Sequence, residues 1–224
     1  MHIEQGPALL DGNHALGVVT GIAGARRLLL TVEGQAGHAG TVPMALRRDA
    51  AAGAAEIVLQ VEALCRAMPG TVGTVGRLHV PDGAINVIPG HCELTIDLRS
   101  ADDSLRLQAL EQLEAAIERI SRQRGLHVHT EVALDAAATP CSPRLRDKLA
   151  ASVARVTGAP AVSLPSGAGY AAIMMARLTE VAMLFVRCGN GGISHHPDEL
   201  LAASDAALAA AAFRDFLLRL EVDG

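Results

Sequence analysis

The apolar positions between residues 25 and 134 change period along the chain. Some segments alternate apolar and polar residues, as strands do, and others repeat apolar residues at spacings of three and four, as amphipathic helices do. The predicted elements are a strand from Arg27 to Glu33, a helix from Leu46 to Met68, strands from Thr71 to Val80 and from Cys92 to Arg99, a helix from Asp102 to Arg124, and a strand from Leu126 to Leu134. This βαββαβ order predicts a ferredoxin-like domain.

Within that domain the clearest signal is the strict alternation over Cys92 to Arg99, which predicts one buried and one solvated face. The strand from Leu126 to Leu134 is expected to alternate in the same way. After Pro43, the chain is expected to enter a helix that begins near Ala45. Gly125 follows the second helix, in the position where glycine commonly ends a helix.

The remainder of the chain has an α/β pattern. Ser142-Pro143 combines an N-cap residue with a proline at the first helical position, and Gly158 follows the helix that they predict. A continuous apolar run from Val181 to Arg187 predicts a strand buried on both faces. A last helix is predicted from Ser204 to Leu220, with Ala209, Phe213, Leu217 and Leu220 on its buried stripe. The chain is therefore divided into residues 1–24, 25–134 and 135–224.

Composition narrows the function classes without changing this fold. Half of the 224 residues are apolar, which is enough for a substantial core, and the net charge is −5 with no basic cluster. That charge argues against nucleic acid or an anionic membrane as a partner. The four cysteines are widely spaced without a C-x-x-C pair, which is typical of buried thiols in a reducing compartment. With no signal-peptide pattern at its start, the chain is expected to be cytoplasmic.

The stretch from Gly34 to Met44 has the composition of a functional loop. Its three glycines permit a tight turn, Pro43 stiffens the exit, and His38 lies between small residues. A Gly-rich connection whose histidine is merely solvated explains these residues equally well. The stretch also resembles the lid-domain signature of the zinc-dependent amidohydrolases that include N-carbamoyl-L-amino acid hydrolase, β-ureidopropionase and allantoate amidohydrolase, within the aminoacylase and carboxypeptidase superfamily.

Six further motifs resemble that family in the same order, so the resemblance covers nearly the whole chain. They are His2-Ile-Glu-Gln-Gly-Pro7, Gly17-Val-Val-Thr-Gly-Ile-Ala-Gly24, Asn86-Val-Ile-Pro-Gly90, Asp97-Leu-Arg99, Ser166-Gly-Ala-Gly169 and Gly191-Gly-Ile-Ser-His-His-Pro-Asp-Glu199. The resemblance implies an incomplete zinc-peptidase-like catalytic α/β domain, with residues 25–134 inserted as a ferredoxin-like lid and dimerisation domain.

The resemblance also implies the chemistry. The family hydrolyses the carbamoyl or ureido C–N bond of N-carbamoyl-L-amino acids or related ureido acids, using two metal ions that are zinc or, alternatively, manganese or cobalt. His2 and His195 resemble its metal ligands, although chemistry alone does not separate His195 from His196. Substrate contacts are implied for Gln5 with the carbamoyl or ureido group, for Arg99 with the carboxylate, and for His38 and Asn86, which would hold the developing oxyanion across a homodimer.

Two features separate this chain from a complete enzyme. The family's other ligands, an H-x-D histidine and aspartate and a Glu-Glu pair, belong to an amino-terminal segment with no counterpart in this sequence. The chain is therefore expected to be a fragment that is inactive alone; the alternatives are a non-catalytic dimerisation module or one subunit of a split enzyme with a separately encoded amino-terminal half. Second, where the family has Ser-Gly-Ala-Gly-His-Asp-Ala, this chain has Tyr170 and Ala171 in place of the His-Asp pair.

Other candidate residues have a simpler interpretation. His127 and His129 share a strand face, but with no third ligand recognised beside them a solvated face is the favoured reading. The common fate of an arginine such as Arg99 is a surface salt bridge, here with Asp97 or Glu93. Only its combination with His38 and Asn86 favours a functional role.

Overall fold

The computed structural model describes residues 1–220. These residues form a mixed α/β structure of two compact units. Residues 24–138 make up the middle unit, and residues 1–23 together with 139–220 make up the terminal unit. None of the helices in the described part of the chain has the length and apolar character needed to cross a membrane.

The strands are β1 (His2–Ile3), β2 (Leu16–Ile22), β3 (Gly24–Glu33), β4 (Gly37–His38), β5 (Thr71–His79), β6 (Val87–Ile88), β7 (His91–Ser100), β8 (His127–Ala136), β9 (Thr139–Pro140), β10 (Val162–Ser166) and β11 (Leu184–Val186). The α-helices are α1 (Ala8–Asp11), α2 (Ala50–Ala67), α3 (Asp103–Arg124), α4 (Pro143–Thr157), α5 (Ala172–Met175) and α6 (Ala203–Leu218). Short 3-10 helices lie at Met44–Leu46 and Asn190–Gly192.

The middle unit is an antiparallel sheet with helices on one face. Its strands lie in the order β5-β7-β3-β8, and all three neighbouring pairs are antiparallel. Burial alternates along β7, so that Cys92, Leu94, Ile96 and Leu98 face the core while the residues between them are half-buried. Helices α2 and α3 cover that buried face, with Ile57, Leu113 and Ile120 among the residues in its core.

Aspartate side chains cap the amino-terminal ends of the two helices of the middle unit. Helix α3 begins after Asp102, whose carboxylate accepts from two backbone N–H groups, and ends at Gly125 with φ +63°. The prediction that α2 begins near Ala45 is wrong. It begins at Ala50, because the Asp49 carboxylate accepts a hydrogen bond from the Ala52 N–H and caps the first turn.

The prediction that the last strand alternates like β7 is also wrong. Strand β8 is exposed along nearly its whole length, with Val132 47% and Leu134 37% exposed. It lies at the edge of the sheet and pairs only with β3, so one side of the strand has no neighbouring strand in the middle unit. A position at the edge of a sheet therefore overrides what the sequence pattern indicates.

The terminal unit has a mixed sheet in the order β1-β11-β2-β10, with β9 also paired to β2. Strand β1 is parallel to β11, and β2 is antiparallel to β11. Strand β11 is fully buried as predicted, although it is shorter than the apolar run that predicts it. Helices α4 and α6 pack together against the sheet. The predicted stripe of α6 is correct at Ala209 but wrong at Leu217, which is 52% exposed.

Candidate functional site

The segments that follow β1 and β11 lie side by side in the terminal unit. The two strands are parallel, with His2 opposite Phe185, so their carboxyl ends lie at the same edge of the sheet. Gly192 has φ +78°, and a Cβ there would lie 2.2 Å from the carbonyl carbon of Gly6. Only glycine allows this close approach. The edge at the carboxyl ends of strands is where α/β folds place their binding sites.

Gln5 lies at the centre of this edge and is held at three atoms. Its backbone N–H donates to the Sγ of the buried Cys188 at 3.2 Å. Its side-chain Nε2 donates to the Ser194 hydroxyl at 2.8 Å, and its Oε1 accepts from the Tyr170 hydroxyl at 3.2 Å. The backbone of Gln5 is left-handed, with φ +58°, which is uncommon for a residue other than glycine.

Tyr170 contacts Gln5 and also packs against one residue of each parallel strand, His2 of β1 and Phe185 of β11. Its ring centroid lies 4.4 Å from that of His2 and 6.1 Å from that of Phe185. Burial raises the pKa of the Tyr170 hydroxyl above its ordinary value, so the hydroxyl is protonated at neutral pH and donates a hydrogen bond to Gln5 Oε1. In the comparison with the family motif, Tyr170 stands where the family has a histidine. That comparison gives no indication that Tyr170 contacts Gln5.

The ring of His2 is oriented by its own strand. Its Nδ1 lies 2.8 Å from the carbonyl oxygen of Ile3, which can only accept a hydrogen bond, so Nδ1 carries the proton. In the neutral ring the lone pair is then on Nε2, as in metal-binding histidines whose other nitrogen donates to a carbonyl group. The neighbouring Glu4 has a structural role, because its carboxylate accepts from the N–H groups of Ala8 and Leu9 at the start of α1.

His195 lies on the exposed loop after β11. It has φ +56°, and its backbone N–H donates to Glu199 Oε2 at 3.0 Å. The neighbouring ring of His196 accepts from the Asp198 N–H at 3.2 Å. His196-Pro-Asp198 is an H-x-D triplet, but it lies within the motif that carries His195 and not in an amino-terminal segment. The triplet is therefore a local turn contact and does not supply the missing family ligands.

The described residues do not by themselves fit a metal centre. Within residues 1–220, no three His, Cys, Asp or Glu side chains are grouped so that they could hold a metal ion. A metal site in a protein needs at least three protein ligands in most cases. Neither His2 nor His195 belongs to such a group among the described residues.

In the middle unit the structure brings His38 and Asn86 together. Strands β4 and β6 pair His38 with Val87, and the Ala39 N–H donates to the Asn86 carbonyl oxygen at 3.0 Å. His38 Nδ1 accepts from the Gly40 N–H at 3.0 Å, so in the neutral ring the proton is on Nε2. Both side chains are exposed. His38 can therefore donate a hydrogen bond from Nε2 to a ligand.

Arg99 lies away from this pair and makes the salt bridge that its sequence context also suggested. Its guanidinium contacts both carboxylate oxygens of Asp97, at 2.7 and 2.8 Å, and Arg27 donates to the same carboxylate. The hydrogen bond from Arg99, followed by that from Arg27, lowers the pKa of Asp97 below its ordinary value. The His38 and Asn86 segments adjoin the His91 end of β7, and Arg99 lies eight residues further, roughly 27 Å at about 3.4 Å per residue.

The two histidines of β8 lie on exposed positions. His127 is paired with Glu33 and His129 with Thr31 across β3. Both side chains are exposed, as a solvated strand face requires. Of the four cysteines, Cys92, Cys141 and Cys188 are buried, Cys65 is partly buried, and all four are free thiols.

Comparison with known proteins relates these observations to a family. Residues 20–128 match the family described as a peptidase dimerisation domain. Over 201 residues the chain is 44% identical to an N-carbamoyl-L-amino-acid amidohydrolase from Pseudomonas sp. (strain NS671), covering 89% of this chain and 48% of that protein. It is 40% identical to a probable allantoate deiminase from Oryza sativa subsp. japonica, covering 100% of this chain and 51% of that protein.

A solved structure agrees with these relatives. An amidase of the hydantoinase/carbamoylase family from Burkholderia multivorans matches with a TM-score of 0.92 at 33% identity, over 96% of this chain and 52% of that chain. The chain spans about half the length of the curated relatives it matches.

Proposed function

Because the chain belongs to the family of metal-dependent amidohydrolases that includes N-carbamoyl-L-amino acid amidohydrolases and allantoate deiminases, matching their carboxy-terminal portion, we propose that it binds the substrate of such an enzyme. The substrate class is an N-carbamoyl-L-amino acid or a related ureido acid, and the bond cleaved is a carbamoyl or ureido C–N bond. The observation that carries this proposal is the position of His2 and Gln5 against the loop that bears Ser194 and His195.

We propose that Gln5 contacts the carbamoyl or ureido group and that His2 and His195 are metal ligands. The Nε2 lone pair of His2 suits that role. A metal ion in the complete site would polarise the carbonyl group and activate water. Because the described residues do not complete a metal site, we propose that the chain alone is inactive.

We propose that the substrate contacts of the middle unit come from two copies of the chain. Arg99 would bind the substrate carboxylate through its planar fork, and His38 and Asn86 would donate to the developing oxyanion. The end of β7 that adjoins the His38 and Asn86 segments lies roughly 27 Å from Arg99, at about 3.4 Å per residue, so Arg99 is at the other end of the strand from that pair. This separation supports a homodimer in which one copy supplies Arg99 and its partner supplies His38 and Asn86.

The fold of the middle unit supports the same proposal. Its βαββαβ order and its antiparallel sheet in the order β5-β7-β3-β8 support a ferredoxin-like domain. We propose that it is the lid and dimerisation domain, in keeping with the match of residues 20–128. A non-catalytic dimerisation module is the second candidate, favoured by the loss of the His-Asp pair at Tyr170 and Ala171. The comparisons do not support a separately encoded amino-terminal half.

Ligand binding by the full chain tests the proposal. We expect N-carbamoyl-L-alanine to bind measurably by calorimetry, and L-alanine, which lacks the carbamoyl group, to bind at least tenfold more weakly. Gln5→Ala is expected to weaken binding about fivefold, the loss of about one hydrogen bond. Arg66→Ala, on an exposed helical ion pair, is the matched control. Equal binding of the two ligands would reject the proposed substrate class. The non-catalytic dimerisation module would then be the better hypothesis.

A further inference from the structure

The resemblance to the family assigns no role to Tyr170 or Ser194, and the structure places both against Gln5. We propose that they are positioning residues that hold the Gln5 amide in one orientation for recognition of a terminal carbamoyl or ureido group. The proposal rests on the proposed function in one respect, the assignment of Gln5 as the residue that contacts the carbamoyl or ureido group. The contacts that orient Gln5 are observed in this chain and do not depend on that assignment.

We call Tyr170 and Ser194, together with the Gln5 amide that they hold, the clamp. It binds both polar atoms of that amide. Nε2 of Gln5 donates to Ser194 at 2.8 Å, and Oε1 accepts from Tyr170 at 3.2 Å. The three residues come from separate segments of the chain, so the contact depends on the folded terminal unit. An amide bound at both ends loses the rotation about its last side-chain bond that a solvated glutamine retains.

Each partner in the clamp is itself held. The ring of Tyr170 packs against His2 and lies edge-on to Phe185, while Cys188 accepts from the Gln5 N–H and stabilises its left-handed backbone. Backbone strain of this kind persists only where surrounding contacts fix it. The amide is therefore oriented before any ligand arrives, which lowers the entropic cost of binding.

The hydrogen bonds that the clamp leaves available define the ligand. A primary amide has two N–H donors and two acceptor lone pairs. Ser194 takes one donor and Tyr170 takes one lone pair, so Gln5 keeps one N–H and one lone pair. A terminal carbamoyl or ureido group offers the complement, a carbonyl oxygen and an NH₂ group. In a ligand without a terminal NH₂ group, the N–H of a trans amide points away from the carbonyl oxygen, so the carbonyl side offers Gln5 an acceptor without a donor beside it.

The orientation of the amide can be measured without any assay of function. In the ¹⁵N-labelled full chain, the Gln5 side-chain NH₂ resonances, identified by their loss in Gln5→Glu, should be dispersed and exchange slowly with water. Tyr170→Phe keeps the ring and removes the hydroxyl, and it should move these resonances toward solvated values and raise exchange at least tenfold. Ser194→Ala should act alike, and Ser163→Ala, an exposed serine on β10, is the control. Unchanged Gln5 resonances in Tyr170→Phe would overturn the clamp.

The specificity of the clamp is tested with two small ligands. We expect N-carbamoylglycine to shift the Gln5 NH₂ resonances and N-formylglycine, which lacks the terminal NH₂, to bind more weakly. Tyr170→Phe should weaken N-carbamoylglycine binding about fivefold and reduce the preference between the ligands. If wild type prefers N-carbamoylglycine and Tyr170→Phe preserves that preference, the positioning role is wrong while the proposed function stands. If the Gln5 amide is ordered but wild type ignores N-carbamoylglycine, the ligand assignment and the proposed substrate class both fail.

Discussion

At the scale of single residues, two of the candidate histidines, His2 and His38, differ in which ring nitrogen carries the proton. The Ile3 carbonyl fixes the proton of His2 on Nδ1, and the Gly40 N–H leaves the proton of His38 on Nε2. His2 therefore presents a lone pair, as a metal ligand must, and His38 presents a donor, as an oxyanion contact must. The resemblance proposes the two roles from the motifs, and the proton position of each ring is compatible with the proposed role.

Asp97 offers a pH-dependent test at this scale. Its pKa is lowered first by the hydrogen bond from Arg99 and then by that from Arg27. A carboxyl whose pKa is lower in the folded than in the unfolded state stabilises the fold above the unfolded pKa, and this stabilisation disappears as pH falls through the folded pKa. Asp97→Asn should therefore lower the free energy of unfolding at pH 6, and the difference from wild type should shrink as pH falls below 3.8.

Urea denaturation between pH 6 and pH 2.5 measures this dependence. Asp147→Asn, in the first half of α4, serves as the control for removing a carboxyl from the surface. A destabilisation by Asp97→Asn that stays constant across this range would show that the contacts from Arg27 and Arg99 do not stabilise the charged form.

At the scale of elements, the sequence predicts the local pattern of a helix or strand better than it predicts which elements lie next to it. Alternation in β7 and the glycine that follows α3 are local properties, and the structure confirms both. The sequence pattern misplaces the start of α2, because the helix begins after Asp49, whose side chain caps it, and not after Pro43. The exposure of β8 depends on which strand lies next to it, a fact of tertiary pairing that periodicity does not contain.

The cap of α2 gives a prediction at the scale of the element. Asp49→Ala removes the acceptor for the Ala52 N–H and should lower the free energy of unfolding by about 1 kcal/mol. Asp49→Asn keeps a side-chain oxygen in the same place and should retain most of the stability. Thermal denaturation of both variants measures the effect, and equal loss in the two variants would argue against capping as the cause.

At the scale of the whole molecule, the candidate site depends on contacts between distant parts of the sequence. The pairing of β1 with β11 brings residue 5 close to residues 170, 188 and 194. Resemblance to the family points to Gln5 and His195 because they lie in motifs. It did not identify Tyr170 as a contact of Gln5, because the residue departs from the motif and its partner lies 165 positions away.

The homodimer proposed for the middle unit is also a prediction for the whole molecule. Sedimentation should give a mass near twice 23.2 kDa, because the outer edge of β8 is suited to pairing with a second copy. The double variant Val132→Lys, Leu134→Lys should raise the monomer fraction, since two charges on this edge oppose pairing. Leu178→Lys, at an 81% exposed position of the terminal unit, should not. A wild-type chain that sediments only as a monomer at micromolar concentration would contradict the dimer.

Metal content per chain tests most directly whether this chain holds only part of the metal centre. After dialysis against a low zinc concentration, we predict less than one zinc ion per chain, with no change in His195→Ala, because the described residues bring no three ligands together. Two tightly held ions that are lost in His195→Ala would contradict this prediction. They would mean that side chains of this chain complete the centre, and that it should be assayed as an enzyme in its own right.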